Sequence, residues 1–180
     1  VPERHQSENI NITLQNGELF IMEIERKYLV KNIPENLNEY PCRLIEQGYL
    51  STRPVVRVRQ DNDSYYLTYK GKGLLAREEY NLPLTEESYN HLLAKADGNV
   101  IRKKRYEIPD ETGLTIELDI FEGVFAGTIL AEVEFSSLDE ANSYNPPAWF
   151  DKDVTNDSSY QNSSMSQRIF SDTEKQEASC

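Results

Sequence analysis

Polar and apolar positions alternate with a period of two along most of this chain, and that period predicts strands. Glu23-Ile24-Glu25-Arg26-Lys27, running into Tyr28-Leu29-Val30, places Glu23, Glu25 and Lys27 on one face of a strand and Ile24, Arg26 and Tyr28 on the other. Arg43 to Ser51 reads as a second strand, and Val55 to Gln60 as a third, with Val55, Arg57 and Arg59 opposite Val56 and Val58. After the turn signal Asp61-Asn62-Asp63, Tyr65 to Lys70 sets Tyr66, Thr68 and Lys70 against Tyr65, Leu67 and Tyr69. Ala76 to Leu84 divides Arg77, Glu79 and Asn81 from Glu78, Tyr80 and Leu82. In Val100 to Ile108, Lys103 and Arg105 share a face opposite Val100, Tyr106 and Ile108. Leu114 to Phe121 sets Leu114, Ile116, Leu118 and Ile120 against Thr115, Glu117, Asp119 and Phe121. Ile129 to Ser136 repeats the pattern, with Ala131, Val133 and Phe135 against Glu132 and Glu134.

The period changes in few places. Thr85 suits an N-cap, Glu86 and Glu87 suit a helix start, and Tyr89, Leu92, Leu93 and Ala96 are helically spaced before Gly98. A short helix is expected over Leu138 to Tyr144, and a last one around Tyr160 to Phe170. Pro146-Pro147-Ala148-Trp149-Phe150 reads as an aromatic packing element, and His91 as a surface or packing histidine. Gly71-Lys72-Gly73 lacks the spacing of a phosphate loop and reads as a turn. Residues 1–21 show no sustained period and read as a leader outside the folded unit, since Met22 looks like a natural start. Residues 22–170 are expected to form one domain, and residues 171–180 a polar tail. The chain thus contains about eight strands with short connections, a natural number for a closed antiparallel barrel. The fold class is α+β, mainly β.

Composition narrows the function. At 180 residues the chain is long enough for one substantial core, and 38% hydrophobic residues make it globular. A formal net charge of −12 argues against nucleic acid or an acidic membrane as partner, because either is recognised through positive charge. An anionic ligand must therefore be drawn by a local cluster of Arg and Lys. Cys42 and Cys180 alone make no disulfide framework, which suits a reducing cytoplasm.

One face of each strand carries that cluster. It gathers Glu23, Glu25, Lys27, Arg57, Arg59, Lys70, Arg77, Glu79, Lys103, Arg105, Glu117, Asp119, Glu132 and Glu134. A solvated outer face accounts for any one strand, but side by side like charges cost energy, and here they recur in i, i+2 pairs. Carboxylate pairs of this kind suit a hard divalent cation, and paired cations suit phosphate oxygens.

These motifs, in this order, resemble the CYTH proteins, also called triphosphate tunnel metalloenzymes. The likeness runs from Met22 to about Asn162: Glu23-x-Glu25-x-Lys27, Arg57-x-Arg59, Lys70, Arg77-x-Glu79, Lys103-x-Arg105, Glu117-x-Asp119 and Glu132-x-Glu134. It is nearest to the short bacterial members. The resemblance implies a closed eight-stranded antiparallel tunnel, with a few flanking helices, that hydrolyses inorganic tripolyphosphate with one or two Mg²⁺ or Mn²⁺ ions. It further implies that Glu23, Glu25, Glu132 and Glu134 hold metal, with Glu117 and Asp119 as ligands or supports. Lys27, Arg57, Arg59, Lys70, Arg77, Lys103 and Arg105 would grip phosphate, and Lys27, Arg57, Arg59 and Glu79 would carry catalysis. Relatives with other chemistry are class IV adenylyl cyclases and thiamine triphosphatases, and a polyphosphate-binding module without turnover is a third reading. Two positions depart from the family pattern: Asn81 replaces a frequent Glu, and Ser158, Ser159 and Gln161 stand where a basic residue is common.

Overall fold

The structure is a computed structural model that describes residues 24–71 and 79–171 and, as backbone, 12–15 and 18–21. Glu23, Arg77 and the Lys72-Gly73 end of the predicted turn lie outside the described residues. β1 (Ile12–Gln15) and β2 (Glu18–Ile21) pair with each other as a separate antiparallel two-stranded sheet within the predicted leader. The remaining strands are β3 (Glu25–Val30), β4 (Cys42–Thr52), β5 (Val55–Asp61), β6 (Ser64–Lys70), β7 (Glu79–Pro83), β8 (Asp97–Pro109), β9 (Thr115–Phe121), β10 (Ile129–Glu134) and β11 (Phe150–Asp153). They form one antiparallel sheet in the order β11-β3-β10-β9-β8-β4-β5-β6-β7.

The sheet is not the expected closed eight-stranded barrel: among the described residues it has nine strands and is open. The ninth strand supplies the physical reason. β11 takes the free edge of β3, with Phe150 opposite Val30, so that edge is not available to the far strand β7. The Lys31 and Asn32 amides also donate to the Trp149 carbonyl. The aromatics of the Pro146-Pro147 stretch pack as expected, the Phe150 ring lying 4.7 Å from that of Tyr28.

The two faces of the sheet are chemically distinct. On the outer face, Tyr28, Ile116, Leu118, Ala131 and Val133 form a core with Phe150 and with Ala141 and Tyr144 of the α2 (Leu138–Ser143) region. Arg26 points to this outer side, where its guanidinium donates to the Ala141 carbonyl near the end of α2 and to Asp153 of β11. It therefore satisfies an orphan helix carbonyl and ties three elements together. α1 (Glu86–Leu93) covers β4 to β6, capped as expected by the Thr85 hydroxyl, which accepts from the Ser88 amide. A Cβ on Gly48 of β4 would stand 2.7 Å from that of Ala96 and 2.8 Å from Leu93 Cδ1, so glycine permits this close approach.

The inner face carries the charge, and its middle is buried, while Glu25 and Glu117 are half-buried and Glu134 is exposed. Lys103 and Asp119 are 1% and 0% exposed, and Lys27, Arg57, Arg59, Lys70, Arg105 and Glu132 are also buried. Among the described residues the burial of these positions comes with the curl of the sheet into a trough, as twisted sheets do. Along each strand the inner positions change character in step: Leu29, Lys27, Glu25 on β3; Leu130, Glu132, Glu134 on β10; Phe121, Asp119, Glu117 on β9; and Ile101, Lys103, Arg105, Glu107 on β8. The apolar end of the trough is sealed. Tyr49, Ile101, Phe121 and Leu130 pack there with Phe125, Val154 and Met165. The predicted final helix is reduced to one turn, α3 (Asn162–Met165), and the following Ser166 carbonyl accepts from both the backbone and side-chain amides of Asn99.

Candidate active site

The trough divides into two walls by how its cations are balanced. On the β3-β10-β9-β8 wall every described cation has a carboxylate. Arg105 is the centre: its guanidinium donates to both Asp119 oxygens at 2.7 and 2.6 Å and to Glu132 at 2.5 Å, and it also engages Glu117. Lys103 pairs with Asp119, and Lys27 lies 2.7 Å from Glu132 and 3.8 Å from Glu25. Register brings these groups together, since Arg105 faces Asp119 across β8 and β9, and Lys27 faces Glu132 across β3 and β10. Burial pushes the Glu132 carboxyl up, but Lys27, Arg105 and Lys103 outweigh it and hold the group well below the usual carboxylate range. Burial and the neighbouring Arg105 together bring the Lys103 ammonium down to about 8, against the opposing pull of Asp119 and Glu132.

The β5-β6-β7 wall is built differently. Arg57 and Arg59 are buried and make no ion pair among the described residues. Arg57 donates to the Thr68 hydroxyl at 3.2 Å, and its Nε has no partner. Arg59 donates to the Gln47 side-chain carbonyl at 2.9 Å and to the Tyr66 hydroxyl at 3.3 Å. Burial first and Arg59 second push the Arg57 guanidinium below its ordinary value. Lys70 and Glu79 form an ion pair at 2.7 Å on the same wall.

The structure thus brings Lys27, Arg57, Arg59, Lys70, Glu79, Lys103, Arg105, Glu117, Asp119 and Glu132 to one inner surface. Glu25 and Glu134 stand directly opposite one another across β3 and β10, on the carboxylate-rich side. Sequence reasoning missed Gln47, which is fully buried, and the outer ring of this surface, where Arg43 pairs with Asp61 at 2.5 Å and Glu107 at 2.8 Å. Both Arg43 and Gln47 share the phase of Ile45 and Tyr49 in the predicted second strand, so that strand's alternation was the available signal.

The metal assignment divides along the same lines. Asp119, Glu117 and Glu132 are committed to Arg105, Lys103 and Lys27, and among the described residues no three acidic, His or Cys side chains converge on a point. Glu25, itself 3.8 Å from Lys27, and Glu134 have interactions of their own, and what recommends them for a hard cation is their donor chemistry. Like charges directly opposed on neighbouring strands repel, and oxygen-only donors suit Mg²⁺ or Mn²⁺.

A family model for the CYTH domain matches residues 22–164. The chain belongs to the CYTH family. An inorganic triphosphatase of Nitrosomonas europaea is 38% identical to this CYTH chain over 153 residues, covering 82% of the chain and 98% of the relative. An inorganic triphosphatase of Acetivibrio thermocellus is 34% identical over 152 residues, covering 79% and 92%. Among solved structures, the crystal structure of an inorganic triphosphatase superposes with a TM-score of 0.67 at 33% identity, covering 83% of this chain and 97% of that one. A putative adenylate cyclase from Bacillus halodurans, at 18% identity and a TM-score of 0.50, shares the fold alone.

Proposed function

We propose that this CYTH chain is an inorganic triphosphatase, hydrolysing tripolyphosphate to pyrophosphate and phosphate, and that residues 22–170 are its single catalytic unit. The observation that carries the reading is the pair of buried guanidinium groups, Arg57 and Arg59, which make no ion pair among the described residues. A polyanion satisfies such a site, and a water-poor surface makes each contact stronger. The names of two relatives above 30% identity support the same substrate.

Arg57 and Arg59 would hold phosphate oxygens and absorb charge as the phosphoryl group transfers. Lys70, Lys103, Lys27 and Arg105 would flank the chain of phosphates and fix it in line. These four reach the substrate only by sharing themselves with carboxylates already bound to them. Glu25 and Glu134, joined by Glu23, would hold a divalent ion, Mg²⁺ or Mn²⁺, which supplies further charge neutralisation when bound. Glu79, tied to Lys70, orients that ammonium. The two-cysteine composition favours a reducing cytoplasm as the site of action, and among the described residues no helix is long and apolar enough to cross a membrane.

The test is to offer the purified protein tripolyphosphate, ATP and thiamine triphosphate, each with Mg²⁺ or Mn²⁺, and to measure phosphate and cyclic AMP. Phosphate release from tripolyphosphate, well ahead of the other two, is expected. Cyclic AMP from ATP, or no turnover of any of the three, overturns the proposal.

A further inference from the structure

The two walls of the trough differ in one respect that strand geometry alone does not require. Cations on the β3-β10-β9-β8 wall sit against carboxylates, whereas Arg57 and Arg59 are held by neutral groups. The tethers are specific. Thr68 is fully buried; its hydroxyl accepts from Arg57 and donates to the Asn81 side-chain carbonyl at 2.7 Å. Asn81 in turn donates to Glu79 at 3.3 Å, and Glu79 receives Lys70 through its other oxygen at 2.7 Å. The relay carries one negative charge, that of Glu79, and it is in direct contact with Lys70 and not with Arg57. Gln47 does the same for Arg59: it accepts from Arg59 Nε and donates to the Tyr49 hydroxyl at 3.2 Å. Gln47 is 0% exposed, and a buried amide is retained at a cost unless its bonds are made.

We propose that Gln47, Thr68 and Asn81 are positioning residues that aim Arg57 and Arg59 while withholding any countercharge, so that this wall is where a polyphosphate anion binds first. The inference rests on the triphosphatase reading and assigns it a polarity. An anion arriving at Arg57 and Arg59 displaces only weak neutral contacts. At Lys103, Arg105 or Lys27 it must compete with Asp119, Glu117 or Glu132, each already in contact. The unpartnered Arg57 Nε is the donor left over for it. Neutrality is thus the functional property of these three side chains, beyond their hydrogen bonds.

Isosteric substitutions separate the two properties. Gln47→Glu keeps an oxygen for Arg59 and adds a negative charge; Asn81→Asp does the same beside Thr68. Tripolyphosphate affinity is measured by calorimetry in EDTA, and kcat and KM are measured with Mg²⁺. Gln47→Glu is expected to weaken binding at least tenfold and to raise KM in proportion with kcat within about threefold, the signature of lost ground-state binding. Asn81→Asp, at a more exposed position, is expected to weaken binding about threefold. A merely structural role predicts no change, since both variants preserve the tether. Unchanged affinity in a folded Gln47→Glu protein overturns the inference. Should that variant fail to fold, Asn81→Asp decides by the same criterion. Wild-type protein that neither binds nor cleaves tripolyphosphate would instead overturn the triphosphatase reading itself.

Discussion

Arg105 is the side chain whose removal the structure prices most clearly. Arg105→Met keeps much of the aliphatic stem and deletes the guanidinium, leaving Asp119, Glu132 and Glu117 each short of one cation. Asp119 retains Lys103 and Glu132 retains Lys27, so the site is not stripped of positive charge. Breaking a buried ion pair from one side costs about 3–5 kcal/mol, a large share of the roughly 5–15 kcal/mol that holds a typical domain folded. At about 2–4 °C per kcal/mol for a domain of this size, the melting temperature should fall by roughly 6–20 °C. The measurement is urea unfolding followed by far-ultraviolet circular dichroism at pH 7.5 and pH 5. The sign of the pH effect follows from Glu132. Its carboxyl is held far below the ordinary range in the native protein, so its stabilisation is complete above the unfolded carboxylate pKa and is lost as pH falls through the folded one. Without Arg105 that carboxyl protonates more readily, so the deficit of the variant should shrink at pH 5. A loss below about 1 kcal/mol at pH 7.5, or a deficit that grows on acidification, would refute the reading of Arg105 as the hub of the wall.

Two further outcomes follow from the geometry. Lys103, brought down to about 8 chiefly by burial and Arg105, loses its charge as pH rises through that value, so tripolyphosphate affinity in EDTA should weaken between pH 7 and pH 9.5. Lys103→Arg should flatten that dependence, and an equal slope in both proteins would count against it; because the folded pKa lies below the unfolded one, this group's unfavourable contribution to stability is full below pH 8 and relaxes above it. Gly48→Ala should destabilise by about 1–3 kcal/mol, because the new methyl forces α1 away from β4, and should leave KM unchanged. Chemical denaturation and steady-state kinetics check both halves.

The inner and outer faces were legible in the sequence because a period of two assigns every strand residue to a side once the phase is known. Charges at Lys27, Arg57, Arg59, Lys103, Arg105, Asp119 and Glu132 announce that phase, and all seven face inward. Two things were hidden. The first is partnership. Glu117-x-Asp119 reads as a metal-binding pair in isolation, but strand register across β8 and β9 places Arg105 opposite Asp119, and register is a property of two distant segments. The second is the uncharged members. Alternation puts Gln47 and Thr68 on the inner face, but they carry no charge, so the pattern gives their side and not the arginine each one tethers. Closure failed for a related reason: Phe150–Asp153 is four residues long, three of them charged, and joins β3 through its backbone rather than through an apolar alternation.

The sealed apolar end has a bearing on molecular traffic. Beyond Lys103, whose ammonium stands 5.4 Å from the Phe121 ring, lie Ile101, Leu130 and Met165, and among the described residues no charged group belongs to this cluster. A phosphate ion carries a tight hydration shell and does not cross such a wall. On the triphosphatase reading, substrate and products therefore pass by the charged end of the trough and not through this apolar cluster.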